Sequence, residues 1–281
     1  MGTVPSSHEV KAFAFSSTPA SLEVIYTPDS IRRQGWHIWL TIISEFLNSR
    51  ELIWRLILRD VSSRYRQSIL GYLWAVLPSI VTVTVFAVFT QSLAIPLVET
   101  SLSYVAFALW SMSVWQLFAG CLNGCTNSLA SAGSLVSKVN FPKEALVIAT
   151  IGHPLLDFMI RLILVALAFI WYEVPFRAQM ILVPFMLLPV ILLATGLGFV
   201  LSIVNLILRD IGNILGMALT FGIFLAPVLY PPPTTWPASL INILNPLSPL
   251  LIASQDMIAH GSLSQPQAFL FSCLLSVLVF L

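Results

Sequence analysis

The sequence predicts an all-α polytopic membrane protein: six membrane-spanning helices preceded by an N-terminal amphipathic helix lying in the membrane interface. Three observations predict it. Only 9% of the 281 residues are charged, against about 25% in a soluble domain. The apolar residues gather into runs close to the ~20 residues that an apolar helix needs to cross hydrocarbon. The basic residues collect on one side of those runs, which orients a membrane chain. A net charge of +1 sets up no field that would draw nucleic acid.

The elements follow in order. Residues 1–35 form a polar tail with Pro5, Pro19 and Pro28. No apolar stretch of the secretory kind follows an early positive charge there. In "WHIWLTIISEFLNS", 36–49, Trp36, Trp39, Ile43, Phe46 and Leu47 recur at helical spacing, opposite His37, Thr41, Ser44, Glu45 and Asn48. Such a helix is too polar to span and lies in the interface, its tryptophans at headgroup depth. From 50 to 66, Glu51/Arg55 and Asp60/Arg64 are pairs four residues apart with the acid first, the favourable order on a helix. The segment 36–71 therefore reads as a cytosolic interface helix and basic linker, continuous or slightly bent, entering the first span.

The transmembrane region occupies 72–281, with spans at about 72–95, 104–131, 145–171, 179–206, 211–230 and 267–281. The last has 15 residues, about 22 Å at a rise of ~1.5 Å per residue, so it is expected to be cut short, with the natural C-terminus beyond residue 281. Eleven of the 13 Lys and Arg residues fall before span one, in the 2–3 connection (Lys138, Lys143) or in the 4–5 connection (Arg209). This bias puts the N-terminus in the cytoplasm.

"RDVSSRYRQSILGYLW", 59–74, packs Arg59, Asp60, Arg64 and Arg66 against a nearly charge-free run. These arginines, with Tyr65, face the cytosol and are candidates to meet anionic headgroups. In "NSLASAGSLVSKVNFPKEAL", 127–146, Pro142 excludes Phe141 from helix and opens a new one. Arg209-Asp210 splits the apolar run 179–230 into two spans. The 5–6 connection, 226–266, is long, proline-rich and half apolar, without Lys or Arg. Two short helices dipping toward the bilayer are expected there, about 236–244 and 247–260, buried in protein or lining a cavity.

His153, Asp157 and Arg161 share one face of span three. Ionisable groups at bilayer depth face protein, water or one another. Asp157 is expected to neutralise Arg161 within the helix; the same residues would serve a proton relay. Span three is long, and Pro154 is expected to kink it and leave His153 near the cytosolic interface. Cys121, Cys125 and Cys273 read as small apolar packing residues, since a metal would want more ligands nearby. Gly120/Gly124 and Gly212/Gly216 form G-x-x-x-G pairs that let helices approach closely.

At this point "RDVSSRYRQSILGYLWAVLPS", "LVSKVNFPKE", "LLDF" at 155–158, "LRDIGNI" at 208–214, "APVLYP" at 226–231 and "LNPLSPL" at 244–250 together resemble, in family order over about residues 30–250, the permease subunit of ABC-2-type exporters of polysaccharide, O-antigen or teichoic acid. The resemblance implies a transmembrane domain of the ABC-2 exporter type, working as a homodimer with two separate ATPase subunits in the bacterial inner membrane. It implies export of a lipid-linked polysaccharide, O-antigen first among them. It also implies that cytosolic segments around Ser134, Lys138, Phe141, Pro142 and Lys143, and near Arg209 and Asp210, bear on the ATPases. Spans one, two and five would line the path, which makes Trp74, Phe86, Phe89, Tyr104, Phe107, Trp110, Phe221, Phe224 and Tyr230 candidate pore aromatics. Their apolar faces suit sugar C–H surfaces, although aromatic belts occur at both membrane interfaces anyway. The basic segment Arg59–Arg66 would also meet the pyrophosphate of a lipid carrier.

Two departures from the family stand out. Ser254-Gln255-Asp256 occupies a stretch where family members often carry a basic residue, and the tail expected from the family after the last span is not within residues 1–281. The chain has no G-x-x-x-x-G-K-[ST] loop, so ATP and Mg would be bound by the partner and no cofactor by this chain. The rival readings are a proton-coupled secondary transporter, an ABC-2 exporter of a small molecule or lipid, and a membrane transferase. The last would need clustered acid/base or metal groups, whereas His8, His37, His153 and His260 are scattered.

Overall fold

A computed structural model describes residues 50–65, 71–92, 103–132, 143–232 and 239–281. The expected helix at 36–49 and residues Ser134, Lys138, Phe141, Pro142 and Arg66 lie outside them. Among the described residues every element is helical: α1 (Arg50–Tyr65), α2 (Leu73–Ser92), α3 (Tyr104–Ser131), α4 (Lys143–Ala149), α5 (Gly152–Trp171), α6 (Val183–Met186), α7 (Leu188–Ile207), α8 (Asp210–Gly222), α9 (Ser239–Leu244), α10 (Leu247–Ala259) and α11 (Pro266–Phe280). A 3-10 turn, Ala178–Leu182, leads into α6, and another, Ile223–Leu225, extends α8.

Three stretches are long and apolar enough to cross a membrane: Tyr104–Ser131, Lys143–Trp171 and Ala178–Ile207. They coincide with the expected second, third and fourth spans. The expected first, fifth and sixth stand in place as shorter apolar helices, Leu73–Val88, Asp210–Leu225 and Pro266–Phe280. The two short helices expected in the 5–6 connection are α9 and α10.

Helix α3 is the hub, packing against α7, α5, α2 and α8. It is buried almost all round, so its polar side chains must be satisfied from within. They are: Ser111 Oγ donates to the Phe107 carbonyl at 2.7 Å, Ser113 Oγ to Leu109 at 2.7 Å and Thr126 Oγ1 to Leu122 at 2.8 Å. Opposite, α7 presents Thr195, Gly198, Ser202 and Asn205, a buried stripe at helical spacing. Small residues let the two backbones approach where no hydrophobic effect drives helices together. A Cβ at Gly198 would sit 2.4 Å from Cys125 Cβ. Cys121 and Cys125 are buried and free, in the packing role their sequence suggests. On its other flank, α7 meets α11 so closely that a Cβ at Gly196 would lie 2.6 Å from the Val279 carbonyl oxygen.

The third crossing is broken at Thr150–Ile151, just ahead of Pro154, which falls in the first turn of α5. Helix α1 lies over this break. Ile53 and Leu56 pack with Leu146, Val147 and Ala149 of α4, and a Cβ at Gly152 would come 2.5 Å from Ile57. The Glu51–Arg55 pair forms at 2.6 Å. Asp60 takes Arg59 as a partner, at 2.9 Å; the side chain of Arg64 lies outside the described residues. The continuous or slightly bent passage expected from 50 into the first span falls partly on residues 66–70, outside the described residues; just after them Gly71 adopts φ +47°, a left-handed turn that glycine tolerates.

In the 5–6 connection, α10 is pinned to α3 by polar contacts. Trp110 Nε1 donates to Ser254 Oγ at 3.1 Å. Gln255 Nε2 donates to Ser111 Oγ and to the Pro227 carbonyl, both at 2.8 Å. Gln255 thus works as a buried strut in the stretch where the family pattern departs. Gln255→Leu leaves the buried Pro227 carbonyl without this donor and takes one of the two bonds of Ser111 Oγ, and is expected to cost about 1–3 kcal/mol, read as a lower melting temperature of the detergent-purified protein; an unchanged melt would remove Gln255 from the core. The far end of α10 closes on Gly261 at φ +73°, with Arg177 Nη1 donating to the Ala259 carbonyl, a cation at the negative end of the helix.

Candidate functional site

One face of α3 differs from the rest. Gln116, Gly120, Asn123 and Asn127 recur at intervals of four, three and four residues, so they run along one side of the helix. Three cavities open along this stripe. The first, ≈ 340 Å³, lies between α1, α3 and α5 and is bounded by Asp60, Gln116, Asn123, His153, Asp157 and Arg161. The second, ≈ 610 Å³, lies between α3 and α8, walled by Asn123, Asn127, Gly212, Asn213, Gly216 and Thr220. The third, ≈ 390 Å³, lies between α2, α3 and α8, with Thr82, Phe86, Trp115, Gln116, Thr220 and Phe224 on its walls. Asn123 borders the first and second, Gln116 the first and third, Thr220 the second and third. Sharing these residues, they adjoin along α3 as a cleft with amides, hydroxyls and bare glycine backbone on much of its walls, beside otherwise apolar helices.

The G-x-x-x-G pairs divide between packing and cleft. A Cβ on Gly120 would meet Pro154 at 3.0 Å, and one on Gly124 would meet Thr150 at 3.5 Å, so this pair brings α3 against the start of α5. Gly212 abuts Asn127, whereas Gly216 has nothing within 4 Å and faces open space.

The charged stripe of α5 borders the first cavity. His153 Nδ1 stands 3.2 Å from Asp157 Oδ2, both side chains about 15% exposed. Asp157 thus has His153 as a neighbour four residues back on the same helix face. Arg161 is 5% exposed, and its Nη1 donates to the Ala75 carbonyl of α2 at 3.2 Å. The arginine thereby holds the start of α2 against α5.

The sequence-nominated residues are distributed as follows. Phe86 and Phe224 face the third cavity, their ring centroids 6.2 Å apart. Phe221 borders the second, and Trp74 is exposed on α2. Tyr104 and Tyr230 fasten the 226–230 turn, donating to the carbonyls of Leu229 at 3.0 Å and Phe224 at 2.8 Å. Phe107 and Trp110 are packed into the core, Trp110 edge-on to Phe158, and neither borders the polar cleft. The side chains of Phe89 and Tyr65 lie outside the described residues. Arg59 is exposed but held by Asp60. Lys143, Arg209 and Asp210 are exposed at helix starts. Sequence reasoning passed over Gln116, Asn123, Asn127, Asn213 and Thr220. The signal was present as amides and hydroxyls at helical spacing in apolar spans, where polar groups face protein or water.

Helices long and apolar enough to cross a membrane, with polar-walled cavities along one of them, define a polytopic membrane protein with room for polar groups between its helices. Residues 51–258 match the ABC-2 type transporter family, and the chain belongs to it. It is also similar to curated proteins named O-antigen export system permease protein RfbA: one from Myxococcus xanthus, 25% identical over 85% of this chain and 92% of that protein, and one from Klebsiella pneumoniae, 22% identical over 73% and 79%.

Proposed function

We propose that this chain is the membrane-embedded permease of an ATP-driven exporter that moves a lipid-linked polysaccharide, O-antigen, out across the bacterial inner membrane. It acts as a homodimer with two separate ATPase subunits, six spans per copy and the N-terminus in the cytoplasm. The observation that carries the reading is the polar cleft along α3 within a chain of the ABC-2 family. A passing glycan must exchange its water shell for other hydrogen-bonding groups, and the amide stripe supplies them. The names of the relatives supply the cargo. No phosphate-cradling loop exists in the sequence, so the ATPase, with its Mg, is a partner. The exposed Arg209–Asp210 turn and the region of Ser134–Lys143 are the surfaces offered to it. Arg59, Arg64, Tyr65 and Arg66 serve the membrane surface and the carrier's head.

Reconstitution with a candidate ATPase tests the reading. The wild type is expected to co-purify with it and to export polysaccharide at the expense of ATP. Arg209→Ala is expected to assemble normally and to lose about tenfold or more of export, within the usual range of coupling between sites. Transport that follows a proton gradient and fails in Asp157→Asn would overturn the reading in favour of the His153–Asp157–Arg161 stripe.

A further inference from the structure

The turn between α7 and α8 is tied to α3 by one set of hydrogen bonds. Asn205, in the last turn of α7, is 2% exposed. Its Oδ1 accepts from the Gly212 amide at 2.9 Å, one of the first-turn donors that a helix start leaves without an internal partner. Its Nδ2 donates to the Thr126 carbonyl at 3.2 Å and to Asn127 Oδ1 at 3.1 Å. Asn127 Nδ2 then donates to the Asn123 carbonyl at 3.0 Å and to Asn123 Oδ1 at 2.9 Å. The chain Gly212–Asn205–Asn127–Asn123 starts two residues after Asp210 and ends on the wall shared by two of the cavities.

The close approach is built in. A Cβ on Gly212 would stand 2.5 Å from Asn127 Oδ1, so only glycine lets the turn come this near. Asn205 is buried, Asn127 half-buried and Asn123 exposed; a buried amide such as Asn205 is unfavourable unless its groups are satisfied, and satisfying them fixes one geometry. Apolar residues would hold a simple seam between helices without this requirement. A hydrogen-bonded pair fixes a position instead, and here it fixes the Arg209–Asp210 turn relative to the cleft wall.

We propose that Asn205 and Asn127 are a positioning pair that transmits displacement of the Arg209–Asp210 turn to Asn123 and the cleft. The inference rests on the ATP-coupled reading above. The test measures polysaccharide exported per ATP hydrolysed by the reconstituted permease–ATPase complex, for wild type, Asn205→Leu, Asn205→Asp and Asn127→Ala. Asn205→Leu and Asn127→Ala are expected to assemble and hydrolyse ATP while exporting about fivefold less, or lower still, per ATP. Asn205→Asp keeps the acceptor for Gly212 but loses both donors, and is expected not to restore the ratio. A wild type without ATP-driven export would overturn the function reading and the relay with it. A coupled wild type whose variants lose export only in proportion to ATP hydrolysis, or lose assembly in both Asn205→Leu and Asn127→Ala, would overturn the relay alone and make the network purely structural. Recovery in Asn205→Asp would assign the effect to helix capping and would also overturn it.

Discussion

Gly198→Val is expected to prevent folded protein from accumulating in the membrane. The Cβ alone would stand 2.4 Å from Cys125 Cβ and 3.6 Å from its Cα, and Cys125 is wholly buried. There is no flexible side-chain end to swing aside, so α3 and α7 must separate. Overpacking a formed core costs about 1–3 kcal/mol, and the upper end applies where two backbones are forced apart. Against a total stability of about 5–15 kcal/mol, this is a large fraction. The measurement is the melting temperature of purified protein together with its amount in the membrane fraction. Gly198→Ala combined with Cys125→Gly removes the opposing Cβ and is expected to recover part of the loss, as neighbouring sites do when they share one contact. A Gly198→Val protein that melts like wild type would mean that α3 and α7 do not meet here.

Gly216→Trp is expected to do the opposite: leave the fold and stop transport. Nothing lies within 4 Å of a Cβ at Gly216, and the residue walls the ≈ 610 Å³ cavity between α3 and α8. An indole projecting into that space replaces a wall of bare backbone with a large apolar plate. Accumulation and melting are expected to match wild type, while surface polysaccharide falls about tenfold or more, of the order seen when binding and moving elements are uncoupled. Normal display by a normally folded Gly216→Trp protein would move the path elsewhere. The two glycines resemble each other in the sequence; what separates them is the distance to the next helix.

That difference marks what could be read in advance. Helix positions followed from the apolar runs because each crossing must satisfy its own backbone, and Arg209-Asp210 placed the break between α7 and α8 correctly. Direction around a helix axis was less accessible. Phe86 and Phe107 are both apolar aromatics in apolar spans, yet one borders the cleft and the other the core. Only the neighbouring helices decide that, and aromatic periodicity says nothing about them. The polar stripe was the more informative pattern, because Gln116, Asn123 and Asn127 have no cheap place in hydrocarbon. Arg161 shows the same limit: its spacing relates it to Asp157 on its own helix, but only the packing of a second helix brings its Nη1 to the Ala75 carbonyl of α2 at 3.2 Å.

The break at Thr150–Ile151, with Ile57 pressed against Gly152, gives α1 a mechanical role. An elbow in a membrane helix is free to flex unless something splints it, and α1 is that splint, laid across the joint and seated on α4 through Ile53 and Leu56. Bending between α4 and α5 and tilting of α1 are therefore one variable. A push on α1 would be felt as torque at the elbow, and flexing the elbow would rock α1 against its surroundings.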